Sequence, residues 1–393
     1  MSTAADANAG ADPERVASAL SAAEFVRVYA RPTGDTLAAA GLLANALRER
    51  DTAFQVRSTR DSAAPDGHGT ALALGWTPPN GTGLDTGDQP VSSVAAAVVA
   101  ALGVDPDPLV GLAGVVAAEA VPGDAGSGSL LEAAERRGIV ERRPGVAVPT
   151  ADIATGLAHS TLVRAPFSGD PEAAQALVAE LDLPADPADD DYRRLASALA
   201  LDVTTDAPMQ SVGAVERALR PYETPTGPFA TLGGYADVLC ALAREQPGLG
   251  VSVALGADAT EAAVTTWREH ARRAHGLLDD PTTGRYDGVF VARVETDPAD
   301  TPALSTAARL LRDYQSPEPA ALVVSDDAAA AAGDGSTDVT AALRAGVDAT
   351  SGEEDERDDP TDADVVGHGR AGDARFGGGD VTAFIGGFRE ALR

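Results

Sequence analysis

Hydrophobic and polar positions form their clearest unit between Phe25 and Leu47. An apolar run (Phe25, Val26, Val28, Tyr29) stops at Arg31-Pro32-Thr33-Gly34, and Leu37, Leu42, Leu43, Ala46 and Leu47 then recur on one stripe of a small-residue helix. The spacing predicts strand, turn and helix. Phe54–Ser58 and Ala71–Trp76 read as further strands, and Val91–Leu102, Leu109–Ala120 and Leu130–Arg137 as helices. Strands alternating with helices predict a largely parallel sheet covered on both faces. From about Ser168 the pattern turns helical, with acidic breaks such as Leu183–Asp191 as solvated linkers. A second α/β pattern starts near Tyr286, with Tyr286–Val294 as a strand, Thr301–Tyr314 as a helix and Ala320–Ser325 as a strand. Gly333–Asp364, rich in Gly, Thr and acid, reads as an exposed mobile excursion. Gly367–Gly379 reads as a Gly-rich turn into a last helix, Val381–Leu392. The expected architecture is α/β in two lobes: an N-terminal parallel-sheet domain (1–167), a helical connector (168–284) and a smaller α/β domain (285–393).

Composition changes the picture in one respect. The chain has 60 Asp and Glu against 30 basic residues, and every one of those 30 is arginine. An acidic, lysine-free, alanine-rich chain fits the cytosol of an extreme halophile, where carboxylate hydration keeps protein soluble and salt screens its self-repulsion. The acid is spread along the whole chain, so net charge names no partner. Cys240 stands alone in an apolar stretch and reads as a buried core residue, which excludes a disulfide framework. The N-terminus lacks the basic and apolar regions of a signal peptide, and no apolar run approaches the ~20 residues of a membrane span. The expectation is a cytoplasmic protein without membrane contact.

Candidate chemistry is sparse. Asp35 sits at the strand–helix junction, where α/β folds place metal- and phosphate-binding groups; it also suits a helix cap. Trp267–His275 sets Arg268 and Arg272 on one helical face, with Trp267 able to stack a base. Arg136, Arg137, Arg142 and Arg143 form a second basic cluster. Near the C-terminus Gly367, Gly369 and Gly372 let backbone amides approach a phosphate, to which His368, Arg370 and Arg375 can donate. His68 reads as exposed and His159 as structural.

At these positions the chain resembles the DHH phosphoesterase superfamily, and within it the archaeal RecJ-like single-strand exonucleases. Val28–Leu47 looks like the first metal motif, His-x-Asp-x-Asp-Gly before a small-residue helix. Val148–Ser160 and Phe229–Leu239 look like RecJ-like segments between the lobes. Tyr314–Ser325 resembles the opening of the DHH-associated C-terminal domain, and Gly367–Phe376 a worn form of its Gly-Gly-Gly-His loop. The resemblance implies a DHH-like first lobe, a DHH-associated second lobe and two divalent ions, usually manganese, clamping a phosphodiester. The motifs depart from that pattern. Arg31 stands at the His position and Thr33 at the first Asp, leaving Asp35. Ala71–Trp76 lacks the second metal Asp, the segment after it lacks Asp-His-His, and Glu119 is the nearest substitute for the fourth motif.

Asp35 and Glu119 are thus residual metal candidates, too few for two shells of oxygen ligands. The resemblance implies a catalytically degenerate RecJ-like protein with no cofactor, binding single-stranded nucleic acid through Gly367, His368, Gly369, Arg370, Arg375, Arg268 and Arg272. It serves replication or repair as a scaffold, with a replisome assembly of GINS type or a nuclease paralogue as partner. The alternative is an active exonuclease or phosphoesterase with Mn2+ or Mg2+ on a rebuilt site of Asp35, Asp85, Asp88 and Glu119. A third reading is regulatory binding of a small nucleotide.

Overall fold

Asp-Pro pairs open three of the helices. Asp12, Asp107 and Asp170 each accept a backbone N–H at the start of the helix that their proline begins, the arrangement both residue types favour. A computed structural model of the chain describes residues 12–61, 67–78, 81–87, 89–184, 187–204, 208, 211–219, 221–350, 364–377 and 379–393. The N-terminal part runs α1 (Pro13–Ser21), β1 (Phe25–Ala30), α2 (Gly34–Glu49), β2 (Ala53–Ser58), β3 (Thr70–Leu74), β4 (Thr82–Leu84), α3 (Val91–Ala101), α4 (Pro108–Ala117), α5 (Gly128–Arg136), β5 (Glu141–Arg142) and α6 (Ile153–His159). Helices then dominate: α7 (Pro171–Glu180), α8 (Asp189–Thr204), α9 (Ser211–Ala218), a short β6 (Tyr222–Glu223), α10 (Leu232–Glu245), α11 (Pro247–Ala254) and α12 (Thr260–Gly276). The last part comprises β7 (Thr282–Tyr286), β8 (Val289–Arg293), a 3-10 turn (Thr301–Ala303), α13 (Leu304–Tyr314), β9 (Ala320–Val324), β10 (Ala328–Gly333), α14 (Val339–Thr350), β11 (Asp364–His368), β12 (Ala371–Arg375) and α15 (Val381–Ala391). The chain divides into two compact units, residues 1–156 with 220–267 and residues 157–219 with 268–393.

The first unit is built on a parallel sheet of order β2-β1-β3-β4. Val26, Val28, Leu72, Leu74 and Leu84 point to one face and are buried with the apolar stripes of α2, α3, α4 and α10. Small residues set the helix spacing there: a Cβ at Gly114 would lie 2.5 Å from Ser92 Cβ and 2.7 Å from Ala38 Cβ. The opposite face carries a small cluster of Tyr29, Ala73, Trp76 and Ala71 that contains no helical residue. Tyr29, Ala73 and Trp76 on this face are buried nonetheless. The connections from β2 to β3 and from β3 to β4 contain no helix among their described residues.

The second unit holds a six-stranded sheet of order β11-β12-β10-β9-β8-β7, in which β8 and β9 are parallel and the other neighbours antiparallel. This sheet is covered twice. Val289, Val291, Leu322 and Val324 pack with Leu343, Phe384 and Phe388 of α14 and α15. On the other side Ala321 and Val323 pack with Leu304, Leu310, Leu311 and Tyr314.

Three readings are corrected in this unit, and one strand is added. Tyr286–Val294 is not one strand: Asp287-Gly288, with Gly288 at φ 82°, turns β7 into β8, a dipeptide that favours tight hairpins. Ala328–Gly333 is a strand despite the low β-propensity of alanine, because its small side chains let α13 approach one face and α14 the other. Residues 333–364, read as an excursion, contain α14, while 351–363 lie outside the described residues. The Gly-rich stretch before the last helix holds the end of β11 and strand β12.

Candidate functional site

The carboxyl edge of the first sheet is where the sequence places its candidate chemistry. Thr33 caps α2, its Oγ1 accepting from the Thr36 N–H at 3.3 Å, and the Thr36 hydroxyl donates to the Arg31 carbonyl at 2.5 Å. Gly34 is required by packing, since a Cβ there would meet Ala117 Cβ and Cys240 Sγ, each at 2.9 Å. Cys240 is half-buried against this turn, a correction to its reading as a buried core residue.

Asp35 is buried within α2, and both its oxygens face α3. Val91 N–H donates to Oδ2 at 2.7 Å and Ser92 N–H to Oδ1 at 2.9 Å. The residue preceding α3 is Pro90, which offers no side-chain cap. Asp35 thus supplies the cap from a neighbouring helix, with its negative charge at the positive end of α3. The sequence reading of Asp35 as a cap had assigned it to its own helix, a role Thr33 fills.

Arg31 occupies the space beside this junction. Its guanidinium lies 4.3 Å from the ring centre of Trp76 and donates to the carbonyls of Arg60 and Asp61. Gly75, at φ 91°, leaves room for it: a Cβ there would stand 3.1 Å from both Arg31 Cγ and Thr36 Cγ2. Glu119 follows the last turn of α4 in a left-handed conformation, φ 62°, and is half-buried. Asp85 is exposed after β4, and Asp88 lies outside the described residues. Among the described residues no three of His, Cys, Asp and Glu gather as a metal site requires. The described residues therefore do not fit a pair of hard cations, which need several oxygens converging on each ion.

The second unit carries the remaining candidates. Gly369 and Arg370 form the two-residue turn between β11 and β12, and their carbonyls accept from Val339 N–H (2.8 Å) and Gly333 N–H (2.7 Å). Gly367 and Gly372 face each other across this hairpin. Their lack of a side chain serves packing on α14: a Cβ would meet Thr340 Oγ1 at 2.4 Å or Leu343 Cδ1 at 2.9 Å. Arg370 and Arg375 are exposed at opposite ends of β12, about 16 Å apart by strand rise. The side chain of His368 lies outside the described residues. Arg268 and Arg272 are exposed one turn apart on α12.

The buried face of α12 overturns one reading. Trp267 is fully buried, donating from Nε1 to Asp237 Oδ2 at 2.9 Å, and is unable to stack a base. His270 Nε2 meets Thr306 Oγ1 at 2.8 Å. His275 donates from Nε2 to the Ser160 carbonyl (3.0 Å), while its Nδ1 takes a hydrogen bond from Arg164 (3.3 Å). Burial first, then the Arg164 charge, pushes the His275 pKa down to about 3, so the ring is neutral.

Residues 281–390 match the sequence family described as the C-terminal domain of uncharacterized protein rrnAC1427. The chain is 46% identical over 392 residues to that Haloarcula marismortui protein, covering 97% of this chain and 96% of the other. The structure is similar to crystal structures of CDC45 from Entamoeba histolytica (TM-score 0.58, 8% identity, 99% of this chain and 98% of the other) and of exonuclease RecJ bound to manganese (TM-score 0.49, 13% identity, 97% and 93%). At 8% identity the likeness to CDC45 shows a shared fold over nearly the whole of both chains.

Proposed function

We propose that this chain, which belongs to the family of uncharacterized protein rrnAC1427 and has the fold of CDC45, binds single-stranded nucleic acid without cleaving it. It acts in replication or repair as a cytoplasmic scaffold, alongside a GINS-type assembly or a nuclease paralogue. One observation carries this reading: at the edge where the sequence resemblance puts metal ligands, Asp35 is engaged as a helix cap and Arg31 fills the adjoining space over Trp76. A guanidinium there repels a divalent cation and attracts a phosphate or a base.

The surfaces proposed for the second unit are the exposed pair Arg268 and Arg272 and the tip of the β11–β12 hairpin at Gly369 and Arg370, with Arg375 at its far end. In molar salt the long-range attraction of phosphate to arginine is largely screened, so affinity rests on stacking and short directed hydrogen bonds. Fluorescence anisotropy with labelled oligonucleotides in molar potassium chloride tests the reading. The expected result is saturable binding of a single strand, preferred over a duplex of the same sequence. Binding of mononucleotides but not oligonucleotides would replace it with small-nucleotide regulation. No binding of either would remove the nucleic-acid role.

A further inference from the structure

Strand β7 ends the six-stranded sheet of the second unit, with β8 as its one neighbour among the described residues. Thr282, Thr283 and Arg285 are exposed, so this edge meets solvent. The two-residue turn at Asp287-Gly288 makes Tyr286 and Val289 a hydrogen-bonded pair, and the antiparallel ladder alternates from there. Thr283 and Arg285 therefore aim their backbone N–H and C=O groups outward, away from β8. The devices that commonly blunt an edge are missing. Pairing with β8 runs from Thr282 to Tyr286 without a bulge, and the strand contains no proline. Its one charged group, Arg285, is drawn back to Glu318 (Nε to Oε1, 2.6 Å).

The face beside this edge favours acid. β7 and β8 hold Arg285 and Arg293 and no carboxylate, in a chain with 60 acids against 30 arginines. Register puts Tyr286, Gly284 and Thr282 on the same face as Val289, Val291 and Arg293, the face that α14 and α15 cover. Arg389 of α15 lies over Tyr286, its guanidinium carbon 3.9 Å from the ring centre. Arg293 is exposed and Arg389 half-buried, and among the described residues neither has a hydrogen-bond or carboxylate partner. The Tyr286 ring lies across Gly284, where a Cβ would meet it at 3.1 Å, so an apolar strip separates the two cations. Tyr286 and Thr282 are about 14 Å apart along the strand. A strand added outside β7 would set alternate side chains opposite Tyr286, Gly284 and Thr282 on this face. A carboxylate in the first place meets Arg389, and an apolar side chain in the second meets the Tyr286 ring. A carboxylate in the third faces Arg293 two strands, or about 9.6 Å, away, a span the two side chains cover together.

We propose that β7 docks an extended acidic segment of a protein partner, added as a seventh strand with its carboxylates on Arg389 and Arg293. Outward N–H and C=O groups at strand spacing are matched by another peptide strand, not by a nucleic acid. The inference rests on the scaffold reading above, to whose partner it gives a surface, and needs none of the nucleic-acid surfaces. Backbone hydrogen bonds and apolar contact persist in salt that weakens ion pairs, so the edge supplies affinity and the arginines select the partner.

The test is fluorescence anisotropy of a labelled heptapeptide, Ser-Glu-Thr-Val-Thr-Glu-Ser, titrated with the full chain in molar potassium chloride. The expected result is saturable binding, weakened about tenfold or more when both threonines of the peptide become proline at unchanged charge. Thr283→Pro removes an outward N–H where an edge strand tolerates proline; it leaves the urea midpoint in place and weakens binding to the same extent. Arg293→Glu alters an exposed side chain and weakens binding about threefold. A wild type that binds no peptide overturns the docking edge; an oligonucleotide titration of the same preparation reads the nucleic-acid proposal separately. Equal affinity for the proline peptide, or unchanged affinity in Thr283→Pro, overturns strand addition in favour of a plain charge patch. A wild type that sediments as a dimer, with Thr283→Pro a monomer, overturns the acidic partner in favour of a second copy of the chain.

Discussion

Replacing Asp35 by alanine removes the acceptor for two backbone donors at once. Val91 and Ser92 N–H lie 2.7 and 2.9 Å from its oxygens, the site is buried, and Pro90 supplies no substitute cap. Each donor left without a partner costs about 1–3 kcal/mol, and hydrogen bonds to a charged acceptor lie at the upper end. The sum for Asp35→Ala is about 3–5 kcal/mol. Asp35→Asn keeps one acceptor oxygen and turns an amide N–H toward the other donor, for about half that loss. Urea unfolding in molar potassium chloride, followed by circular dichroism, measures both. A metal ligand would behave in the opposite way: its removal relieves a costly site, and manganese would raise the midpoint of the wild type but not of the variant. An Asp35→Ala protein as stable as the wild type, or a wild type stabilised by manganese through Asp35, would refute the cap assignment.

Other outcomes follow from the same contacts. Gly34→Ala forces a methyl to 2.9 Å from Ala117 Cβ and Cys240 Sγ and destabilises the first unit by about 1–3 kcal/mol, read as a lowered urea midpoint. Asp313 is buried beside Arg312 (2.8 Å from its Nε), with Arg217 at 3.4 Å; Asp313→Ala strands buried charge and costs about 3–5 kcal/mol by the same assay. His275 has its folded pKa lowered to about 3, so between there and its ordinary value near 6.5 the unfolded chain binds the extra proton. Stability from this group is complete above that window and falls as pH drops through it, by up to about 1.4 kcal/mol per pH unit. His275→Gln flattens the slope by that amount, and an unchanged slope contradicts the neutral buried ring.

The strand–turn–helix at Phe25–Leu47 was legible because an amphipathic stripe, a Pro-Thr-Gly turn and a β-branched run all point to one structure. The hairpin at Tyr286 was missed although Asp287-Gly288 signals it, because apolar residues continue through the turn and mask the break. Alanine strand β10 has no local signal; only the helices on either side make it a strand. Asp35 was found at its correct place and given the wrong helix, since its partners Val91 and Ser92 are distant in sequence. The Arg31–Trp76 stack depends on Gly75 and on the carbonyls after β2, none of which share a motif.

The account turns on whether the carboxyl edge of the first sheet performs phosphodiester chemistry. The direct measurement incubates the protein with end-labelled single-stranded DNA and manganese in molar potassium chloride, beside Asp35→Asn. The account predicts bound, full-length strand with both proteins. Shortened products made by the wild type and lost in Asp35→Asn would contradict it and make this edge an active metal site.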